Sequence, residues 1–331
     1  MRITKATSRL HEFLDDLKRA LETEIDLGDV QIKDVFMGAM GGSAISANIV
    51  AGCCSRYMDI PICVNRSPLV PHWVGKNTLS IISTYSGNTD ETLEMYQKAK
   101  AAGSHIIVLT SGGKIKPMAE KDGYPVLLVP TGFEPRYSVG YMIGYIAAVF
   151  ASIGHPEFKD RLKGCMHQLE SYRNYLEAPG SIAYLLAQKY RDCVPVICTE
   201  NKFRAVSLRW KAAFNENAKT ICFDTSLSEF NNFEVTPWAS YKGNRVRLIV
   251  LTSENDLVDG GLVKRAIQNI ESLGFPFDLV AIGGSTNEEM LFRALILGDY
   301  VTVYIAEAAG IDPEVTPVIS ELKRRIRSKQ F

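Results

Sequence analysis

Short apolar runs alternate along the chain with segments whose apolar positions recur every three to four residues. The short runs predict strands and the longer periodic segments predict helices. In the first half the pattern predicts strands over 34–37, 61–64, 79–83, 105–110 and 125–129, with helices between them, notably 43–54 and 88–102. Gly103 is placed to end the second of these helices. A long helical stretch over 137–177 follows and is punctuated by Ala178, Pro179 and Gly180. The second half predicts strands over 194–199, 220–224, 245–252 and 277–282, and helices near 202–215, 261–273, 287–309 and 314–328. Alternating strands and helices imply an α/β fold with parallel sheets and crossover helices. The two halves share this order but not their loop residues, so the pattern is a structural duplication without a clean sequence repeat.

Composition narrows the setting. The 331 residues suffice for two ordinary domains. Lys plus Arg and Asp plus Glu number 37 each, so an anionic ligand has to be held by local features and not by a global field. The one basic cluster, Lys323, Arg324, Arg325, Arg327 and Lys329, sits at helical spacing and reads as a solvated helix face, with no nucleic-acid partner expected. Residues 1–24 are charged and helix-patterned, without a secretory apolar region, and no apolar run reaches membrane-spanning length. A cytoplasmic protein without a membrane partner is expected. The seven Cys include no C-x-x-C pair and read as reduced, buried thiols, not as disulfides or zinc ligands.

Two first-half loops carry the sharpest chemistry. Met37-Gly38-Ala39-Met40-Gly41-Gly42-Ser43-Ala44 follows a strand and opens a helix. Its glycines allow close backbone approach, and the helix N-terminus offers free N–H groups. It is neither a G-x-G-x-x-G nor a Walker A loop, and Gly113-Lys114 lacks the upstream glycine of the latter. Ser83-Thr84-Tyr85-Ser86-Gly87-Asn88-Thr89-Asp90-Glu91-Thr92 repeats the strand–turn–helix context. One hydroxyl there would suit an ordinary N-cap. Three, at Thr84, Ser86 and Thr89, suit a phosphate dianion held without Lys or Arg.

Ser-x-Ser-Gly-x-Thr after a strand is the phosphosugar signature of sugar-isomerase (SIS) domains, and Thr84 here keeps the hydroxyl of its first Ser. With Gly41-Gly42-Ser43 upstream and Glu134-Pro135-Arg136 before a helix, the chain resembles the bifunctional phosphoglucose/phosphomannose isomerases of archaea and some bacteria, over roughly residues 36–327. The resemblance implies two SIS subdomains, each a parallel sheet flanked by helices in a three-layer, flavodoxin-like arrangement. It places an N-terminal phosphate-binding subdomain at 1–155, a helical connector at 156–180 and a C-terminal subdomain at 181–331. It also implies a hexose 6-phosphate substrate, no cofactor or metal, and a homodimer with a shared site.

By the same resemblance, Asn215-Glu216-Asn217-Ala218-Lys219 matches the N-E-N-x-K motif and makes Glu216 the proton-transferring base. On its residues alone, Glu216 is a solvated carboxylate near a helix end. Arg136 would stabilise the enediolate; on its own it reads as a surface Arg paired with Glu134. Thr316, in Thr316-Pro317-x-Ile319-x-x-Leu322-Lys323, would contact the substrate near C1 and C2, and Lys323 would reach the ring oxygen or O5. Alone, Thr316 before Pro317 reads as an N-cap. Gly42, Ser43, Thr84, Ser86 and Thr89 would grip the phosphate.

One segment departs from the pattern: where the family has a stretch like P-E-x-x-H-N-E, this chain has Asn232 at the His and Phe233 at the following Asn, and keeps Glu234. The family's ring-opening His, sixteen residues after the base, is Asn232 here, and no His lies beyond His167. Asn hydrogen-bonds but does not exchange a proton near neutral pH. Four readings stay open: an isomerase that opens the ring through Lys323 or a His from another region, an isomerase of open-chain or differently substituted sugar phosphates, a sugar-phosphate-binding regulator, and an amino-sugar phosphate isomerase.

Overall fold

The computed structural model describes residues 4–28, 30–258, 261–274 and 276–328, apart from the side chains of 323 and 326–328. The chain divides into two compact units. One comprises Arg9–Arg173 and Gly284–Arg293; the other comprises Met1–Ser8, Asn174–Gly283 and Ala294–Phe331. Each is built on one parallel sheet, and they are called here the first-sheet and second-sheet units.

The first sheet has five strands: β1 (Asp34–Ala39), β2 (Ile62–Asn65), β3 (Thr78–Ser83), β4 (His105–Thr110) and β5 (Val126–Leu128). Their order is β2-β1-β3-β4-β5, all parallel. This is the flavodoxin-like order. β3 is buried along its whole length because helices cover both faces. On one face Phe36, Ile82, Ile106 and Val108 meet Met95, Tyr96 and Ala99 of the helix Asp90–Ala101, and Ile115 and Ala119 of the helix Ile115–Lys121. The helix Gly41–Cys54 packs with Val139–Ser152 on the other, because the β1-to-β2 step runs the opposite way across the sheet.

A single helical stretch over 137–177 does not form. A 3₁₀ turn, Pro135–Tyr137, leads into the helix Val139–Ser152, and a second helix, Glu157–Glu177, starts after Gly154 at φ 91° and Pro156. A left-handed glycine followed by a proline ends one helix and starts the next. The expected connector is thus a regular helix whose residues through Arg173 belong to the first-sheet unit, with Phe158, Leu162 and Leu169 buried. The helix Lys5–Leu21 lies close to Val139–Ser152: a Cβ on Gly140 would sit 2.6 Å from the Phe13 carbonyl oxygen, and one on Gly144 2.9 Å from that of Leu17. Two glycines four residues apart let the two backbones approach.

The second sheet has four parallel strands, β6 (Val194–Thr199), β7 (Phe223–Ser226), β8 (Val246–Ser253) and β9 (Phe277–Ile282), in the order β7-β6-β8-β9. This repeats the first four positions of the first sheet. Leu227, Phe230, Ile267 and Ile270 pack on Cys198, Leu248 and Val250 on one face. The helix Arg204–Glu216 covers the other, as right-handed crossovers require when β6-to-β7 and β7-to-β8 step in opposite directions. The strand expected over 220–224 lies at 223–226 instead, because Lys219 turns into the left-handed region (φ 54°) and the chain through Cys222 is held as a loop by the Asn215 side chain.

At the carboxyl edge of β6 and β8 sits an ionic cluster. The Lys202 ammonium lies 3.1 Å from Glu200, donates to Ser253 Oγ at 3.0 Å and pairs with Asp256, which also accepts from Ser253. Burial, reinforced by the hydrogen bond to Asp256, pushes the Glu200 carboxyl up to about 7. Burial also opposes ionisation of Asp256, but hydrogen bonds from Glu200, Lys202 and Ser253 outweigh it and hold that carboxyl at about 2.

Two outcomes follow from this packing. Gly144→Ala is expected to destabilise the protein by about 1–3 kcal/mol through overpacking, measured by urea unfolding. Glu200 has a folded pKa above its unfolded one, so it costs nothing below about pH 4.5 and lowers stability progressively as pH rises through about 7. Melting curves from pH 5 to 8 are expected to show this decline in the wild type and a flatter profile in Glu200→Gln, with the variant relatively more stable at pH 8.

Candidate functional site

In the first-sheet unit, β1 and β3 are neighbours in register, with Ala39 opposite Ser83. The chain leaves them in opposite directions across the sheet, so a crevice opens at their carboxyl ends. The helices Gly41–Cys54 and Asp90–Ala101 begin there, one from each face of the sheet. Both present their positive dipole ends and the N–H groups that have no intrahelical acceptor. Neither is capped in the usual way: Met40 and Thr89 occupy the N-cap positions, and neither side chain makes a cap hydrogen bond. The Thr89 hydroxyl instead accepts from that of buried Thr84, at 3.3 Å. Thr89 therefore stands where an N-cap stands without acting as one. The hydroxyl of Thr92, one helical turn on, is buried and has no hydrogen-bond partner among the described residues.

Ser43 is buried in the first turn of its helix. Gly42 faces the 3₁₀ turn of Arg136: a Cβ there would lie 3.7 Å from the Pro135 carbonyl oxygen and 3.8 Å from Arg136 Cα. Arg136 is only 3% exposed, and its guanidinium lies 5.0 Å from the centre of the Tyr137 ring and 3.7 Å from the Glu134 carboxylate. A surface Arg tethered by a neighbouring Glu does not describe it. The structure brings Gly42, Ser43 and Arg136 together, and it sets Thr84, Ser86 and Thr89 on the adjoining strand end.

A second loop holds the Ser86 turn in shape. The Ser86 hydroxyl accepts from Asn88 N at 3.3 Å, and the Asn88 side chain accepts from Lys114 N at 3.1 Å. Ile115 N donates to the Gly87 carbonyl at 3.0 Å, and Ser111 donates through backbone and hydroxyl to the Tyr85 carbonyl at 2.9 and 2.6 Å. Gly87 and Gly113 both have positive φ and lie against each other's loops; a Cβ on Gly87 would overlap the Gly112 carbonyl oxygen. In the sequence Gly113 stands out only as part of an incomplete nucleotide motif. Its role depends on which loop lies opposite, which no local pattern encodes.

In the second-sheet unit, Glu216 is the last residue of its helix and is half-buried. Its motif neighbours are structural. Asn215 accepts from Cys222 N at 3.2 Å, fixing the departing chain. Asn217 is fully buried and donates to Thr302 Oγ at 3.0 Å. Lys219 takes the left-handed conformation, which costs on the order of 1–3 kcal/mol for a non-glycine residue, and its ammonium reaches back to the Glu216 carbonyl.

Asn232 is exposed on a π-helical turn, Phe230–Glu234, steadied by a 2.8 Å hydrogen bond from Thr225 to Glu234. It belongs to the segment that covers the face of the second sheet opposite the Glu216 helix. Within one chain, Glu216 and Asn232 are therefore not brought together. Thr316 is half-buried before the helix Pro317–Ser328, and its carbonyl accepts from Ser320 N at 3.1 Å. Lys323 lies on that helix, but its side chain lies outside the described residues. Among the described residues no group of three or more His, Cys, Asp or Glu is arranged to hold a metal ion, and no helix is long and apolar enough to cross a membrane.

Comparison with known proteins agrees with this geometry. Residues 181–326 match the family described as bacterial phospho-glucose isomerase C-terminal SIS domain. The bifunctional phosphoglucose/phosphomannose isomerase of Caldicellulosiruptor bescii is 31% identical over 311 residues, covering 89% of this chain and 90% of that one. The D-glucosamine-6-phosphate 4-epimerase of Sulfolobus acidocaldarius is 27% identical over 96% of this chain and 95% of that one. The C-terminal domain of glucosamine-fructose-6-phosphate aminotransferase from Francisella tularensis shares the fold, with a TM-score of 0.72 at 12% identity, over 94% of this chain and 98% of that one. Two parallel sheets of the same strand order and identity at this level over nine-tenths of both chains lead to one conclusion: the chain belongs to the bifunctional phosphoglucose/phosphomannose isomerase family and is an isomerase.

Proposed function

We propose that the protein interconverts glucose 6-phosphate, mannose 6-phosphate or both with fructose 6-phosphate through a cis-enediol. The observation that carries this reading is the first-sheet crevice, where two uncapped helix N-termini, buried Ser43 and Thr84, and buried Arg136 converge. A chain of zero net charge has built a local anion site there. Gly42, Ser43, Thr84, Ser86 and Thr89 hold the phosphate in this reading.

Glu216 takes the proton from C2 of the open-chain aldose. The released electron pair forms the C1–C2 double bond, and O1 gains a proton. Return of the carried proton to C1, with loss of the O2 proton, gives the ketose. No oxidant or reductant enters, and the proton count closes. Arg136 offsets the negative charge that develops on the oxygens. Thr316 contacts the substrate near C1 and C2, and Lys323 reaches the ring oxygen or O5. Asn232 replaces the proton-exchanging ring opener, so the enzyme draws on sugar opened by another group or already open. Asn232 and Glu216 of one chain lie on opposite faces of one sheet, and a homodimer with a shared site belongs to this proposal.

One observation favours a second reading. The 4-epimerase relative spans 96% of this chain, and Asn232 removes a group that ring opening calls for. An amino-sugar phosphate would then be the substrate, with change at C4.

Incubation with mannose 6-phosphate or glucose 6-phosphate in D₂O, followed by NMR, is expected to give fructose 6-phosphate and deuterium at C2 of the aldose. Glu216→Gln is expected to slow this by about 10²–10⁴-fold. Equal rates in wild type and variant would sink Glu216 as the base, and epimerisation of glucosamine 6-phosphate at C4 would favour the second reading. Asn232→His is expected to raise turnover on cyclic substrate, by up to about 10²-fold, with little change on open-chain sugar.

A further inference from the structure

The helix carrying Glu216 is docked along the helix Asn287–Ala308 by polar contacts from its middle to its C-terminal end. Near its middle, buried Arg209 makes a bidentate pair with buried Asp299, at 2.9 and 3.0 Å. Trp210 donates its indole N–H to the Ala294 carbonyl at 2.8 Å and lies so close over Gly298 that a Cβ there would overlap its ring. Two turns further on, Asn217 donates to Thr302. The Thr302 hydroxyl lies 3.0 Å from both the Gly298 and Asp299 carbonyls, so its proton stays on its own helix and its lone pair is left for the Asn217 amide.

Stability alone does not account for this seam. A buried ion pair is often no more stabilising than apolar side chains of similar volume, because desolvation offsets the attraction. Directional contacts instead fix one register. A one-residue slip would rotate the helix by about 100°, and a one-turn slip would move it about 5 Å. Glu216 sits next to Asn217, half-exposed on the last helical turn. The contacts of its neighbours therefore set where its carboxylate stands.

We propose that Asn217 and Thr302, backed by the Arg209–Asp299 pair, are positioning residues for Glu216. This rests on the reading of Glu216 as the base. The test compares full-length wild type, Thr302→Val, Thr302→Ser and Glu216→Gln by steady-state kinetics on mannose 6-phosphate and fructose 6-phosphate. Val keeps the volume and removes the acceptor, whereas Ser keeps the acceptor and removes a methyl. Thr302→Val is expected to lower kcat by about tenfold to a hundredfold, the range for a reacting group misplaced by about 1 Å, with KM within twofold. Thr302→Ser is expected to restore kcat. Where Thr302→Val does not fold, Thr302→Ala removes the acceptor without overpacking and takes its place. Wild-type kcat in the folded variant, or equal losses in the Val and Ser forms, would overturn positioning while a dead Glu216→Gln left the base in place. A fully active Glu216→Gln would remove the base assignment and this inference together.

Discussion

The pairing of β1 with β3 is the constraint on which the proposed anion site depends. A phosphate dianion must be met by donors already pointing at it, because this chain has no net positive charge to draw it in. With Ala39 fixed opposite Ser83, two helices start side by side from opposite faces of the sheet, and their N-termini are aimed at one crevice. The rest of the first-sheet unit protects that arrangement. The loop through Gly113 backs the Ser86 turn through backbone hydrogen bonds, and Gly87 and Gly113 approach too closely to admit side chains. The approach of the helix Val139–Ser152 to Lys5–Leu21 through Gly140 and Gly144 steadies the helix that follows the Arg136 turn.

The second sheet repeats the strand order and uses the corresponding edge differently. Where the first sheet offers hydroxyls and N–H groups, the carboxyl edge of β6 and β8 carries Glu200 and Asp256 around Lys202. Two carboxylates already compete for one ammonium there, so a phosphate would meet repulsion and an occupied cation. The two sheets thus share a strand order, while one crevice carries the donors of the proposed anion site and the other holds a self-paired ionic cluster. That is the physical reason the halves share an order of elements but not their loop residues.

Much of this was legible in the chain because fully buried parallel strands are written as unbroken apolar runs. The strands at 105–110, 194–199 and 277–282 have the bounds that the pattern predicts, although the last is buried at alternate positions only. The glycine and hydroxyl loops were legible for a related reason, since a turn bringing backbone near a ligand restricts which residues fit. Other features were decided by tertiary partners. The burial of Arg136 depends on a turn seated beside Gly42, and the displacement of β7 on a non-glycine residue held in the left-handed region. Asp299 and Thr302 sit in a helix that reads as plainly apolar, and only the facing helix gives them meaning.

On the proposed mechanism, opening the ring and moving the proton are separate tasks, and this chain treats them differently. Everything near Glu216 is held: the flanking asparagines are engaged, and the strained Lys219 backbone is retained. The segment of Asn232 also keeps its scaffold, because the π-helical turn is formed and Glu234 is anchored by Thr225. π-helical turns occur often at functional sites. What differs there from the family pattern is Asn232 in place of the proton-exchanging His and Phe233 in place of the Asn beside it. Asn215, Asn217 and Lys219 shape the chain around the end of the Glu216 helix, so the same contacts hold the fold and the proposed base. On that mechanism the rate is tied to the supply of sugar phosphate opened by another group or already open, and the proton transfer by Glu216 is a separate step.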